Sequence, residues 1–166
     1  PSLVELDYVF VVALLDGEKV FLDATDKFIS AGELPLRALN PNGVLIDKSK
    51  SISIDARRSK GTFLAIENPN VEEINVYNTV YFGENLDLKC NESVKYFGTE
   101  ASRKRKNLML YTSEDEFIGK LEEQNSNYSI DSIKILNKEI SSKPLQINYA
   151  YTLDGNVDEV SGKLYI

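Results

Sequence analysis

The two residue types that most often carry proton relay and nucleophilic attack, histidine and cysteine, are almost missing from this chain, and that narrows the field first. Histidine is absent, and cysteine occurs once, as Cys90. A chain without histidine assembles no Ser-His-Asp or Cys-His-Asp relay, because it has no imidazole to take and return a proton near neutral pH. The commonest zinc ligand is lost with it, and one cysteine does not replace it. No cofactor and no metal site is therefore expected. Cys90 alternates with leucine in Leu86-Asp87-Leu88-Lys89-Cys90, the pattern of a buried strand thiol. A lone cysteine forms no internal disulfide, so the redox compartment stays open.

Two further groupings have null explanations. Asp154, Asn156 and Asp158 repeat at every second position, like the opening of a calcium loop. The sixth position is Glu159 where glycine is needed, and the twelfth is Tyr165 where a bidentate Glu is needed. A hairpin turn is the reading there. The basic run Arg103-Lys104-Arg105-Lys106 is read as a solvated helix face, with a site for an anionic partner as the lesser alternative. The formal charge of −7 argues against nucleic acid as a partner, since phosphate binding depends on a basic face.

Tyr8 and Asp23 lie on the two arms of a first hairpin. Residues 8–15 are a dense β-branched and aromatic run, Asp16-Gly17 is a turn dipeptide, and Lys19-Val20-Phe21-Leu22 returns. Such a hairpin sets positions 8 and 23 facing each other across the ladder. Its first strand is apolar on both faces, which predicts a central strand covered on each side. The covers are mostly not in this sequence, and with a start at Pro1 and no initiator Met the chain is expected to be a piece of a longer protein.

Beyond residue 26, Gly32, Pro35, Pro41 and Gly43 break any regular period. Short strands are expected at 44–47 and 52–55, and Arg57-Arg58-Ser59-Lys60-Gly61 is the candidate linker. Strands resume at 62–67, 74–82 and 86–97. Thr99 is placed to cap one helix, and Ser113-Glu114-Asp115-Glu116 forms a capping box opening a second. Leu145, Ile147, Tyr149, Tyr151 and Leu153 alternate strictly with polar or small residues, so this strand has one buried and one wet face. A looser strand, residues 128–135, precedes it, and a final one is expected at 160–166. The fold class that follows is α+β, mostly β, with antiparallel sheets and a helical pair (about residues 99–125) packed on one face. At 166 residues there is room for one good core, or for one domain and part of another. No apolar run approaches the roughly 20 residues of a membrane helix.

The stretch Leu6-Asp7-Tyr8-Val9 through Phe21-Leu22-Asp23-Ala24-Thr25-Asp26, continued by Leu34-Pro35-Leu36-Arg37-Ala38-Leu39-Asn40, resembles the end of a transglutaminase core, as found in large transglutaminase-like proteins of Gram-negative envelopes. Residues from about 62 onward resemble the domain of unknown function that follows that core. The resemblance implies a first domain, 1–56, ending a papain-like core, and a β-rich second domain, 57–166, with two helices. It places Asp23 at the triad-Asp position and Tyr8 where the triad His would stand. That departs from the catalytic pattern, because a phenol ordinarily titrates near pH 10, too high for a general base. The nucleophile-bearing helix of the family is absent from this sequence. Both residues are thus vestigial candidates, each with a plain structural alternative: Asp23 as a strand-end carboxylate capping a turn, Tyr8 as a packed tyrosine.

The expectation is a non-catalytic interaction or scaffolding module, periplasmic or at the cell surface. Its partners would be upstream domains of the parent protein and a peptide or protein ligand. The alternative is the C-terminal half of a cysteine-dependent enzyme whose nucleophile lies upstream of Pro1, which predicts an apolar scar on the first hairpin. A third possibility is a pure spacer without a pocket.

Overall fold

Asp16 and Gly17 both adopt positive φ, 52° and 86°. Two such residues in a row make the tight turn whose twist matches paired strands. In the computed structural model they join β1 (Val11–Leu15) to β2 (Glu18–Leu22), with Leu15 opposite Glu18. The structure describes residues 8–39, 42–45, 62–66, 72–83, 87–155 and 157–165. They fall into two compact units, Pro1–Asn70 and Val71–Ile166. The sequence set the boundary at 56/57, but β3 (Asn42–Leu45) pairs antiparallel with β4 (Thr62–Ala65), which draws the latter into the first unit. The expected strand at 52–55 and the linker at 57–61 lie outside the described residues.

In the first unit one face of the β1–β2 ribbon is closed. Tyr8, Phe10, Val12 and Phe21 pack toward Leu34 and Ala38, and the Phe10 and Phe21 rings meet edge to face at 5.6 Å. Ala38 ends a short 3-10 helix, Leu36–Ala38. The opposite face carries Val9, Val11 and Leu15, all exposed, and so is Leu22 beside them. Among the described residues β1 pairs only with β2 and has one open apolar face, so the second of the covers expected for this strand is not found among them.

The second unit is built on a four-stranded antiparallel sheet. Its strands are β5 (Ile74–Phe82), β6 (Leu88–Tyr96), β7 (Tyr128–Leu136) and β8 (Leu145–Leu153), in the order β5-β6-β8-β7. Its cover is a helical pair, α1 (Gly98–Leu108) and α2 (Glu114–Gln124), on one face. The alternation predicted for β8 is what the register shows. Leu145, Ile147 and Tyr151 are buried beside Val94 and Cys90 of β6, while Gln146 and Asn148 lie on the other face. Ala101, Leu108 and Phe117 of the helices close over Leu145 and Ile147, and Leu88, Cys90, Tyr151 and Val157 form an adjoining cluster. The chain is thus α+β and mostly β, with helices rather than a second sheet as the cover.

Local details differ from the sequence reading for identifiable reasons. Ser113 Oγ accepts from the Glu116 amide at 3.1 Å, as a cap should, but the Glu116 carboxylate reaches one residue further back, to Thr112 N (2.7 Å) and Thr112 Oγ1 (2.8 Å). Thr99 does not cap α1. The cap position is Phe97, without a side-chain bond, and Thr99 Oγ1 lies 3.4 Å from Glu72 instead. The single strand expected at 160–166 is a small hairpin, β9 (Asp158–Val160) with β10 (Lys163–Tyr165), turned by Ser161-Gly162 at φ 56° and 74°. The hairpin turn therefore falls there and not at Asp154-Gly155, which only links β8 to β9; Asn156 lies outside the described residues.

The basic run needs the largest correction. Arg105 is 1% exposed, and Lys104 lies over the rings of Tyr96 and Phe117. Only Arg103 and Lys106 are on a solvated face. The Arg105 guanidinium donates to the carbonyls of Asn137 (3.2 Å), Ile140 (2.8 Å) and Lys143 (2.6 Å), all in the β7–β8 connection. It holds a loop, not an anion. No helix among the described residues is long and apolar enough to cross a membrane.

Burial pushes the phenols of Tyr149 and Tyr151 up from their ordinary value, and the nearby Glu92 carboxylate adds to this. A tyrosine in the unfolded chain titrates near pH 10, so above that the unfolded state loses a proton that the folded state keeps. The contribution of these two phenols to stability is therefore expected to be fully present below about pH 10 and to be lost as pH rises further. Tyr149→Phe should flatten that fall in urea-unfolding measurements from about pH 9 to 11; an unchanged slope would remove Tyr149 from the explanation.

Candidate functional site

Tyr8 and Asp23 come together through the hairpin, by a diagonal rather than a direct pairing. The register matches Val11 with Leu22; continued outward, it sets position 8 opposite 25 and position 10 opposite 23. Diagonal neighbours on one face remain within reach of a long side chain, and Tyr8 Oη donates to Asp23 Oδ2. The direct neighbour, Thr25, lies 2.8 Å from Tyr8 Oη through its hydroxyl, and its amide donates to Asp23 Oδ1 at 2.8 Å. From the 3-10 helix, Arg37 Nη2 donates to Thr25 Oγ1 at 3.1 Å and to Tyr8 Oη at 3.3 Å, with its guanidinium 5.1 Å from the phenol ring centre.

Counting protons gives the network a direction. The phenol has one proton and spends it on the carboxylate, so the Thr25 hydroxyl is the donor toward Tyr8. Arg37 supplies both hydroxyls and Asp23 receives the chain of bonds at its far end. Partial burial raises the Asp23 carboxyl, but the bonds from Tyr8 and Thr25 and the charge of Arg37 together hold it below its ordinary value. The result is an arginine–carboxylate pair bridged by two hydroxyls. It joins the hairpin to the segment around residue 37.

Sequence reasoning singled out two of these four residues. Thr25 could have been found from the hairpin register, which sets it opposite Tyr8. Arg37 carries no local signal, because 29 residues separate it from Tyr8 and only the fold closes that gap.

Cys90 is buried on β6, and burial raises its thiol, which makes it a poor source of thiolate. Among the described residues no three His, Cys, Asp or Glu side chains converge as a metal site. Two other places carry polar groups together. A pocket of about 220 Å³ lies where the α1–α2 link meets β7, lined by Tyr111, Ser113, Phe117 and Lys138 among others. On the helix-side face of the sheet, Tyr151 Oη donates to Glu92 (3.3 Å) and Asn78 Nδ2 donates to both (3.3 and 3.4 Å). The stacked rings of Tyr128 and Tyr151 flank them, 4.9 Å apart.

Comparison with protein-family models, with curated proteins and with solved structures finds no match to this chain.

Proposed function

We propose that this chain is a non-catalytic interaction or scaffolding module, the end of a transglutaminase-like core followed by a β-rich domain, in a bacterial periplasmic or cell-surface protein. The observation that carries it is the direction of the Tyr8–Asp23 bond. At the position where the resemblance expects an imidazole base, the chain holds a phenol that gives its proton to the carboxylate. The site is supported from below by Thr25 and Arg37, so it is built as a clasp. Its partners are the upstream domains of the parent protein and a peptide or protein ligand.

The open apolar face of the first hairpin supports the relationship to a larger core, since an upstream helix would pack against Val9, Val11 and Leu22. It favours equally the second reading, a cysteine-dependent enzyme with its nucleophile upstream; the phenol at position 8 separates the two. The test uses the intact parent protein, assayed for incorporation of a primary amine into a glutamine-containing protein and for peptide hydrolysis. No turnover above buffer is expected. Turnover that disappears in Asp23→Ala would overturn the non-catalytic reading.

A further inference from the structure

The two edges of the four-stranded sheet are built differently. β7 is broken by a bulge between Ile130 and Ser132 and carries Asp131 and Lys134, features that keep an edge from pairing with another chain. β5 has none of these: it pairs with β6 over nine residues without a shift, and Ile-Asn-Val-Tyr-Asn-Thr-Val-Tyr-Phe contains no charge, no proline and no glycine. The helices pack chiefly on β6, β7 and β8. Ile74, Val76, Val80 and Phe82 form an exposed apolar row on the helix-side face, and Tyr77 and Tyr81 are exposed on the other.

The backbone of this edge faces outward in a definite phase. Gly83 N bonds to Asp87 O and Phe97 N to Glu73 O, one at each end of the ladder. Since bonded pairs alternate along an antiparallel ladder, the odd-numbered residues of β5 bond to β6. The even-numbered ones, 74 to 82, present their N–H and C=O groups outward.

We propose that β5 pairs with β5 of a second copy of this chain, antiparallel about a two-fold axis at Asn78, joining two four-stranded sheets into one of eight. The strand is self-complementary in that register. Ile74 of one copy faces Phe82 of the other, Val76 faces Val80, and Asn78 faces itself; on the other side Tyr77 faces Thr79 and Asn75 faces Tyr81. Even-numbered residues meet even-numbered ones, so the outward N–H and C=O groups bond pairwise. In a chain of net charge −7, this strand brings two copies together without opposing like charges. Its six large apolar and aromatic side chains, Ile74, Val76, Tyr77, Val80, Tyr81 and Phe82, are all exposed, and pairing of the two edges takes part of that surface out of water. The inference does not depend on the reading of Tyr8 and Asp23.

The experiment is sedimentation of the full chain over a concentration series, with three variants. The wild type is expected at twice the chain mass, and Val76→Pro at the chain mass with an unchanged far-ultraviolet circular dichroism spectrum, because the N–H it removes is not used by β6. Val76→Lys serves the same purpose should the proline disturb the strand. Under mild oxidation Asn78→Cys should become a covalent dimer, its Cα atoms being the roughly 5.5 Å apart of a bonded pair, whereas Tyr81→Cys should not. A wild type that stays at the chain mass, alone or while binding another protein at this edge, overturns the proposal. So does a dimer that survives both Val76 variants, or one that cross-links equally well at 78 and 81.

Discussion

Replacing Ile147 by alanine is expected to cost about 4 kcal/mol of stability, toward the upper end of the range for large-to-small core changes. Ile147 is fully buried on β8, between Val94 on β6 and Ile135 on β7. Ala101, Leu108 and Phe117 close over it from the helices. Sheet below and helices above restrict collapse into the space left, so the lost contacts are compounded by a cavity. Urea unfolding of the full chain measures it through the shift in midpoint at constant slope. A cost below about 1 kcal/mol would mean that the helical cover settles onto the sheet more freely than the packing indicates.

The second large effect is expected from Arg105→Met, about 3 kcal/mol, from removing charge-assisted bonds to three loop carbonyls at a buried site. Methionine fills much of the same volume, so the loss would come from the guanidinium and not from a void. Arg105→Lys should recover only part, since one ammonium does not reproduce a planar fork over Asn137, Ile140 and Lys143. Amide hydrogen exchange gives the second readout. Protection should fall first across residues 137–144, where Asn137 holds φ +59° and its side chain bonds Pro144 O. Full stability in Arg105→Met would show that the loop keeps its shape without the clamp.

That arginine also shows where the sequence was legible and where it was not. Four basic residues in a row look solvated by composition, yet helical spacing carried the opposite signal. Ala101, Arg105 and Leu108 stand at i, i+4 and i+7, one stripe of α1, and all three are buried. The β1–β2 turn and the faces of β8 could be read because turn dipeptides and strict alternation are local. The β9–β10 turn was missed although Ser-Gly is a turn dipeptide too, because the run on either side is short. At the candidate site, the hairpin brings out Tyr8 and Asp23, but the Asp16-Gly17 turn sets position 8 opposite 25, so Asp23 is reached along the diagonal. Arg37 belongs to the part of a site that chain proximity never reveals. The open face of β1 and the bare edge of β5 depend on what the other described residues leave uncovered, which no window of residues contains.

The strand order β5-β6-β8-β7 has a further consequence. β5 with β6 and β7 with β8 are each neighbours in sequence, and α1 and α2 lie between the two ribbons. The one long-range seam is β6 with β8, where Val94 meets Ile147. A cut in the exposed link at Met109-Leu110 would therefore sever no ladder and divide no helix. Each fragment would keep one complete ribbon of the four-stranded sheet and one of its two helices, with half of the apolar seam bare. The second unit is in this sense two complementary halves written in tandem, and its two pieces, expressed separately, should find each other and rebuild the sheet.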